Sequence, residues 1–360
     1  MPSPVESKLA SIRAACGIAA ADLAKRVGVS RQTIHAIEAG SYLPNTQVAL
    51  LLARELGVSV EDLFSLPIQP SAALPIELLS PAPKGTPVRL CRVHSRWIGT
   101  PASSAPYFLP EADGTIGDVG VQLAVTSQQL EKRLLIAGCD PATSLLARMV
   151  EQSSGIELIP AAASSTQALQ WLADDKVHIA GSHLEDATTG EFNLPYLRSA
   201  FPQHRFAVFG FAHWEQGLVT APKNPKGIRT IADLARKDIR IVNREPGSGS
   251  RALLDRFLKT NGIPSKNLTG YKETAKGHLE AAAQILNRQA DCCLATRSAA
   301  RAFGLGFIPI HTERYDLVVK RSSLEIPAIQ TFLNDLQRAA LRRKLEVLAD
   351  YDTSQTGVLR

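Results

Sequence analysis

The sequence predicts a multidomain chain in which a small all-α domain precedes a larger α/β domain. Three observations lead to this fold class. In residues 7–65, apolar side chains recur at helical spacing, and glycines separate the helical runs. Residues 66–87 are rich in proline. From about residue 131 the pattern changes to alternating strands and helices. The 360 residues are enough for more than one domain.

The composition is that of an ordinary globular protein, with 45% hydrophobic and 21% charged residues. A formal net charge of +6 is compatible with a nucleic-acid partner but does not establish one. The first residues lack a basic flank followed by an apolar run, and the apolar runs are too short to cross a membrane. We therefore expect a cytoplasmic protein without a membrane partner.

Cysteines and histidines do not follow a metal-binding or redox spacing. The five cysteines are odd in number and include no CxxC pair, and the eight histidines are scattered. The sequence therefore predicts reduced thiols, no metal and no cofactor. The cysteines are Cys16, Cys91, Cys139, Cys292 and Cys293.

Residues 7–65 are predicted to form five short helices. A glycine, tolerant of positive φ, follows four of the helical runs, and a Ser or Asn precedes three of them as an N-cap. Ser59 and Asp62 have the spacing of a capping box. The glycines are Gly17, Gly28, Gly40 and Gly57, and the N-caps are Ser30, Asn45 and Ser59.

Residues 20–40, AADLAKRVGVSRQTIHAIEAG, resemble the helix-turn-helix of the Xre/Cro-like repressor family, and the resemblance extends through SYLPNTQVALLLARELGVSVEDLF to residue 64. It implies a DNA-binding domain whose partner is a double-stranded operator. It also implies an ion pair between Arg13 and Glu38. Ala20 departs from the family, where a polar phosphate-binding residue is usual.

The residues after the turn Gly28-Val29-Ser30 suit a recognition helix, whose first residues read bases in the major groove. Arg31 can bond guanine and Gln32 can bond adenine, whereas Thr33 or Ser30 suits a phosphate. Residues 1–65 are formally neutral, so a protein-interaction bundle stays an alternative. The predicted DNA-binding residues are Arg31, Gln32, Thr33, Ala36, Ser30, Lys25 and Arg13.

The middle of the chain is predicted to connect the two domains. Residues 66–87 form a proline-rich linker, residues 88–99 a hairpin, residues 100–118 a loop and residues 119–125 a strand. The predicted domains are therefore 1–65, 66–130 and 131–360.

Strand-like segments such as RLLIAGC at residues 133–139 alternate with helices and predict a mainly parallel sheet. A β-rich segment at residues 205–221 interrupts the alternation and suggests two lobes. The region from residue 131 resembles the periplasmic-binding-protein-like domain, closest to the subset thought to sense molybdate. The resemblance rests on AGCDPATSLLA (137–147), NREPGSGSRALLDRFL (243–258), AARAFGLGFIPI (299–310) and ERYDLVV (313–319). It implies a two-lobed α/β fold of type II.

Three segments place polar groups after predicted strands, where open α/β sheets bind ligands. The Gly-Ser-Gly-Ser segment also opens a helix, so backbone N–H groups and the helix dipole favour an anion there. The CDPATS loop has the same position after an earlier strand. The predicted ligand-binding residues are Asp140, Thr143, Ser144, Ser182, His183, Gly247, Ser248, Gly249, Ser250, Arg251 and Tyr315.

Each of these segments has an alternative reading. Gly247 to Ala252 formally matches a GxGxxA dinucleotide fingerprint, or is a structural turn. Thr143 and Ser144 could cap a helix, His183 could be a satisfied loop histidine, and Tyr315 could belong to the core. Asp140 would repel an anion, so we expect it to cap the helix or orient Arg251.

Together these observations predict a one-component, ligand-responsive transcriptional regulator, acting as a homodimer on an inverted repeat. The favoured ligand is a small anion such as molybdate or tungstate, and the alternative is a small organic acid. An enzyme with a DNA-binding appendage is the second hypothesis, but the chain lacks a GxSxG elbow, a Walker motif and an activated Cys–His signature. We therefore predict no enzymatic activity.

Overall fold

The computed structural model describes residues 5–65, 75–102, 109–126 and 130–360. The chain divides into two compact units, Met1–Ala73 and Leu74–Arg360.

The first unit is built from five short helices around one apolar core. An antiparallel pair of two-residue strands joins its two ends, and each of the five helices contributes at least one fully buried side chain. The elements are β1 (Glu6–Ser7), α1 (Leu9–Ala15), α2 (Ala20–Val27), α3 (Arg31–Glu38), α4 (Thr46–Leu56), α5 (Val60–Leu63) and β2 (Phe64–Ser65). The five-helix prediction is confirmed.

The predicted caps define where these helices begin and end. Ser30, Asn45 and Ser59 each accept the backbone N–H of the residue three positions later, which satisfies a donor that a helix start leaves free. Ser59 and Asp62 form the predicted capping box. Gly28, at φ +74°, ends α2 in the left-handed conformation that favours glycine.

The second unit begins with a small five-stranded sheet in the order β3-β5-β4-β6-β7. The predicted hairpin is present as β4 and β5. Two predictions were incomplete: strand β3 lies within the predicted linker, and β6 lies within the predicted loop at 100–118. Residues 66–74 of the linker and 103–108 of the loop lie outside the described residues. The strands are β3 (Ile76–Leu78), β4 (Pro87–Val93), β5 (Arg96–Pro101), β6 (Gly114–Ile116) and β7 (Val121–Leu123).

The remaining elements alternate between strands and helices, as predicted. In chain order they are β8 (Arg133–Gly138), α6 (Thr143–Ser154), β9 (Glu157–Ala162), α7 (Ser165–Ala173), β10 (Ile179–Ser182), α8 (Leu194–Ala200), β11 (Phe206–Thr220), β12 (Asn243–Arg244), α9 (Gly249–Thr260), β13 (Thr274–Ala275), α10 (Gly277–Leu286), β14 (Cys292–Thr296), α11 (Arg297–Ala302), β15 (Gly306–Lys320), α12 (Pro327–Leu336) and α13 (Ala339–Lys344).

The main sheet has six strands in the order β14-β11-β15-β10-β8-β9. Only β8 pairs in parallel, with β9 and β10, and the other three pairings are antiparallel. The prediction of a mainly parallel sheet was therefore wrong. The cause is the pair β11 and β15, two 15-residue strands that run antiparallel along their whole length.

These two long strands connect two lobes. Strand β10 pairs with residues 316–318 of β15, and β14 pairs with residues 216–220 of β11. The first lobe contains β8 to β10, α6 to α8, α12 and α13, and the second lobe is residues 221–305. Each lobe has its own apolar clusters. The two-lobed α/β prediction is confirmed.

Between the lobes, the pairing of β11 with β15 is irregular. Register shifts at Gly210/Ala212 and at Gln216/Gly217 bracket a five-residue stretch of β11. Within it Trp214 lies opposite Glu313, and Ala212 lies opposite Tyr315. The crossing strands thus carry polar and aromatic side chains to the place where the two lobes meet.

Candidate functional site

Helix α3 has the orientation that a recognition helix needs. Ile34 and Ile37 are fully buried in the core of the first unit, whereas Arg31 and Gln32 are exposed at the start of the helix. The Ser30 hydroxyl caps the helix by accepting the N–H of Thr33 at 3.0 Å. The remaining predicted DNA-binding residues differ in exposure: Lys25 is exposed, and Thr33 and Ala36 are half-buried.

Arg13 forms the predicted ion pair, with its Nε 2.5 Å from Glu38 Oε1. Its Nη1 also donates to the carbonyl oxygen of Ile18 at 2.7 Å. The guanidinium therefore holds α1 against α3. His35 also contributes and was missed from the sequence: its ring lies 3.3 Å from Arg31 Nε and 3.3 Å from Glu38 Oε2.

In the second unit, two of the predicted loops meet at His183, directly after β10. The Cys139 Sγ, after β8, lies 3.4 Å from His183 Nε2. Gly249 from the second lobe packs against the other side of the ring, where a Cβ would lie 2.5 Å from His183 Cε1. His183 is buried, and its Nδ1 lies 2.7 Å from the Glu313 carboxylate. It is thus the centre of the contact between the lobes.

The Glu313 carboxylate is the common acceptor of this buried network. Besides His183, the Gln216 amide donates to it at 2.7 Å and the Trp214 indole N–H at 3.2 Å. Burial lowers the pKa of His183, but Glu313 and Cys139 outweigh burial and raise the pKa to about 10. Burial also raises the pKa of Glu313, yet His183 and the other donors hold that pKa below its usual value. The pair is therefore ionised.

Asp140 faces the interior instead of solvent. Its Oδ1 accepts from the Tyr351 hydroxyl at 2.6 Å and from the N–H of Ala142 at 2.7 Å. Burial raises the pKa of Asp140 to about 6, partly offset by these hydrogen bonds. It therefore shapes the turn that leads into α6. It does not orient Arg251, which pairs with Asp255 at 3.6 Å.

Five buried polar atoms around His183 and Glu313 have no hydrogen-bond partner among the described residues. They belong to four side chains that are 5% exposed or less. The atoms are Asp140 Oδ2, Gln216 Oε1, Arg244 Nη1 and both ring nitrogens of His278. A buried polar atom without a partner costs about 1–3 kcal/mol, so these five atoms are where this network could accept or donate further hydrogen bonds.

Two of these side chains come from the second lobe. Arg244 is 1% exposed and pairs with Glu245 at 2.9 Å. Burial lowers its pKa, but Glu245 and the nearby Cys139 sulfur reverse the shift and raise the pKa. His278, the second residue of α10, packs edge-on against Trp214. Burial and the neighbouring Arg244 and His183 lower the pKa of His278 well below its usual value, so its ring is neutral.

An outer pocket of about 360 Å³ lies beside this network. The Thr166 hydroxyl donates across the cleft to the Gly247 carbonyl at 3.1 Å, and Arg251 stacks on the Tyr271 ring at 4.4 Å. Ser248 caps α9, as it accepts the N–H of Arg251 at 3.2 Å. The pocket is lined by Thr166, Leu184, Pro246, Gly247, Ser248, Arg251, Ala252 and Asp255.

The other predicted ligand residues have internal partners. Ser182 donates to Asn193 Oδ1 at 2.7 Å, and Ser250 accepts from the Gln216 amide at 2.8 Å. Thr143 begins α6 and Ser144 donates to the Pro141 carbonyl, but neither side chain caps the helix, whose N-cap is Ala142. Tyr315 is buried, and its hydroxyl packs directly against Gly181. A Cβ atom at position 181 would lie 1.9 Å from the Tyr315 hydroxyl oxygen.

Several residues of this candidate site were not predicted from the sequence, namely Cys139, Thr166, Gln216, Arg244, His278 and Glu313. The sequence shows no activated Cys–His signature, and the contact between Cys139 and His183 arises only in the fold. These residues lie on separate strands and helices, so local patterns do not connect them. A sequence signal for Thr166 does exist. The run Ser-Ser-Thr lies between β9 and the following helix, as the other predicted loops lie between a strand and a helix.

Comparison with known proteins gives the family. The family described as "PBP superfamily domain" matches residues 146–337, slightly more than half of the chain. The chain belongs to the PBP superfamily. A second family, described as "Helix-turn-helix", matches residues 9–63 of this PBP superfamily protein.

Individual proteins are similar to parts of the chain. The chain is 33% identical to the uncharacterized protein YvgK of Bacillus subtilis over 225 residues, 62% of this chain and 72% of that one. It is 47% identical over 60 residues to the HTH-type transcriptional regulator MJ0272 of Methanocaldococcus jannaschii, 17% of this chain and 91% of that one. The tungstate ABC transporter structure from Geobacter sulfurreducens has a TM-score of 0.46 at 15% identity and covers 61% of this chain and 99% of that one.

Within the described ranges, the helices of this PBP superfamily protein are too short or too polar to cross a lipid bilayer.

Proposed function

We propose that this chain is a one-component transcriptional regulator, in which a ligand bound between the two lobes controls DNA binding by the helix-turn-helix domain. The observation that carries the proposal is a pocket of about 360 Å³ lined by residues of both lobes, in a chain that also carries a recognition helix. Relatives of the first domain are named HTH-type transcriptional regulators. We propose that the protein has this role without catalysing a reaction, and that it acts in the cytoplasm.

On the DNA side, we assign base contacts to the exposed start of α3. Arg31 suits guanine and Gln32 suits adenine, since each can form two hydrogen bonds to that base edge. Lys25, Ser30 and Thr33 suit phosphates, and Ala36 suits an apolar contact such as a thymine methyl group. Arg13 acts inside the domain, because Glu38 and the Ile18 carbonyl already hold its guanidinium.

We further propose that two copies bind an inverted repeat. Helix-turn-helix dimers read two half-sites about one helical turn apart. The first 65 residues carry six basic and six acidic side chains, so a single domain has little net attraction for the DNA backbone. A second copy doubles the contacts.

For the ligand we propose a small oxyanion in the outer pocket, with molybdate or tungstate favoured and a small organic acid as the alternative. The pocket lies at the start of α9, where backbone N–H groups and the helix dipole favour an anion. Arg251 supplies positive charge and Thr166 a hydroxyl. Asp255 offsets part of that charge, so the oxyanion must displace its pairing with Arg251.

Replacing Arg31 or Gln32 with alanine is expected to relax base preference at one operator position each, at a cost of about 1–3 kcal/mol for each lost bidentate contact. The control is Lys25→Ala, which should weaken binding evenly across sequences. The measurement is selection from a random DNA library with the full chain. An unchanged selected motif in both Arg31→Ala and Gln32→Ala would exclude α3 as the recognition helix.

A further inference from the structure

Three potential metal ligands meet inside the cleft although the sequence suggested none. The Cys139 sulfur and one ring nitrogen each of His183 and His278 all lie within 4.8 Å of one another. His183 and His278 are buried, and Cys139 is half-buried. They are separated by 44 and 95 residues in the chain, and only the fold brings them together.

The spacing of these atoms suits one ion. With Zn–S near 2.3 Å and Zn–N near 2.0–2.1 Å, a tetrahedral site separates sulfur from nitrogen by about 3.6 Å. The observed distance from Cys139 Sγ to His183 Nε2 is 3.4 Å. The third nitrogen lies within 4.8 Å of the other two atoms, so it needs a shift of about 1.5 Å or less to complete such a site.

His278 provides a second, independent observation. Its side chain is 1% exposed, and neither ring nitrogen has a hydrogen-bond partner in the described part of the chain. A buried imidazole normally has a partner for at least one nitrogen. An ion shared with Cys139 and His183 would satisfy one nitrogen of His278.

His183 is already oriented as metal-bound histidines are. Its Nδ1 lies 2.7 Å from Glu313, which leaves Nε2 directed at Cys139. This carboxylate–histidine arrangement fixes the ring, and zinc would displace the proton that Nε2 carries in the metal-free protein. Arg244 lies beside the Cys139 sulfur, and its positive charge opposes a cation there.

We propose that Cys139, His183 and His278 form a binding site for one zinc ion, with Glu313 as a positioning residue and the fourth coordination position open. A thiolate with two imidazoles is a donor set that zinc prefers. Cys139 and His183 belong to the first lobe and His278 to the second, so the ion joins the lobes. The site is distinct from the outer pocket, and its zinc binding does not depend on the proposed DNA-binding function.

The test is zinc binding to the full chain after removal of metal with a chelator, measured by competition with a chromogenic chelator. We expect one zinc per chain, and cobalt in its place should give a thiolate-to-cobalt charge-transfer band. Cys139→Ala and His278→Ala should abolish the band and weaken zinc binding at least about 100-fold, beyond the 10–100-fold expected for Glu313→Gln. The controls Cys16→Ser and His94→Asn should bind zinc as the wild type does.

Three results would overturn the proposal. One is folded wild-type protein that binds no stoichiometric zinc and gives no thiolate–cobalt band. Another is unchanged zinc affinity in both Cys139→Ala and His278→Ala. The third is rapid alkylation of Cys139 by iodoacetamide that stoichiometric zinc does not slow, since a zinc-bound sulfur would be protected from alkylation. Circular dichroism of each variant shows whether it is folded. The cobalt band is measured on the wild-type chain, so that test does not depend on the folding of any variant.

Discussion

Replacing Glu313 with alanine is expected to lower the free energy of unfolding of the second unit by about 3–5 kcal/mol, as is typical when one partner of a buried ion pair is removed. The carboxylate is 2% exposed and accepts hydrogen bonds from His183, Gln216 and Trp214. All three donors lose their acceptor at once in the variant. Urea unfolding, followed by tryptophan fluorescence, measures the loss because Trp214 reports directly on the site.

The matched control is Glu111→Ala, because the Glu111 side chain is 82% exposed and, within the described ranges, forms an ion pair with Arg89 alone. We expect it to change the free energy of unfolding by less than about 0.5 kcal/mol. Glu313→Gln should fall between the two, since an amide oxygen can still accept but carries no charge. A Glu313→Ala variant as stable as Glu111→Ala would contradict the proposed central role of this carboxylate.

Replacing Gly249 with alanine is expected to prevent the lobes from closing as they do here, at a cost of about 1–3 kcal/mol. Gly249 is the first residue of α9, where alanine is otherwise favourable to the helix. However, its Cβ would lie 2.5 Å from the His183 ring, which Glu313 holds in place. Hydrogen exchange should therefore become faster across residues 247–256, the segment that closes on Thr166 and Glu185.

A double variant separates this clash from a general loss of stability. When His183 is also replaced by alanine, the ring that meets the new Cβ is gone, and Gly249→Ala should cost close to nothing. The difference between the two backgrounds is the interaction energy of the pair. Equal cost with and without His183 would mean that Gly249→Ala acts through something other than this contact.

The first unit could be predicted in detail because its signals are local. Ser30, Ser59 and Gly28 mark helix ends by hydrogen bonds and backbone conformation within a few residues, so the sequence alone locates them. The pair of Arg13 and Glu38 lies 25 residues apart and followed from the family resemblance, not from spacing. His35, which contacts both Arg31 and Glu38, was missed because a histidine on an exposed helix edge is uninformative by itself.

The second unit was less predictable because its site depends on sheet topology. The β-rich segment at 205–221 was identified, but its role as one 15-residue strand shared by both lobes was not. Its pairing with β15 is what sets Trp214 opposite Glu313 and directs both at His183. The predicted Gly-Ser loop does reach the cleft, yet Ser248 and Ser250 are occupied by internal hydrogen bonds that local sequence does not reveal.

The most direct test of the account is the affinity of the full chain for its selected operator, measured by fluorescence anisotropy with and without saturating molybdate or tungstate, and then with small organic acids. A ligand that couples the cleft to DNA should change the affinity about 5–150-fold, equivalent to 1–3 kcal/mol. Arg251→Ala should lose the response but keep the ligand-free affinity. Identical DNA affinity in the presence of every compound that raises the melting temperature would contradict ligand control of DNA binding.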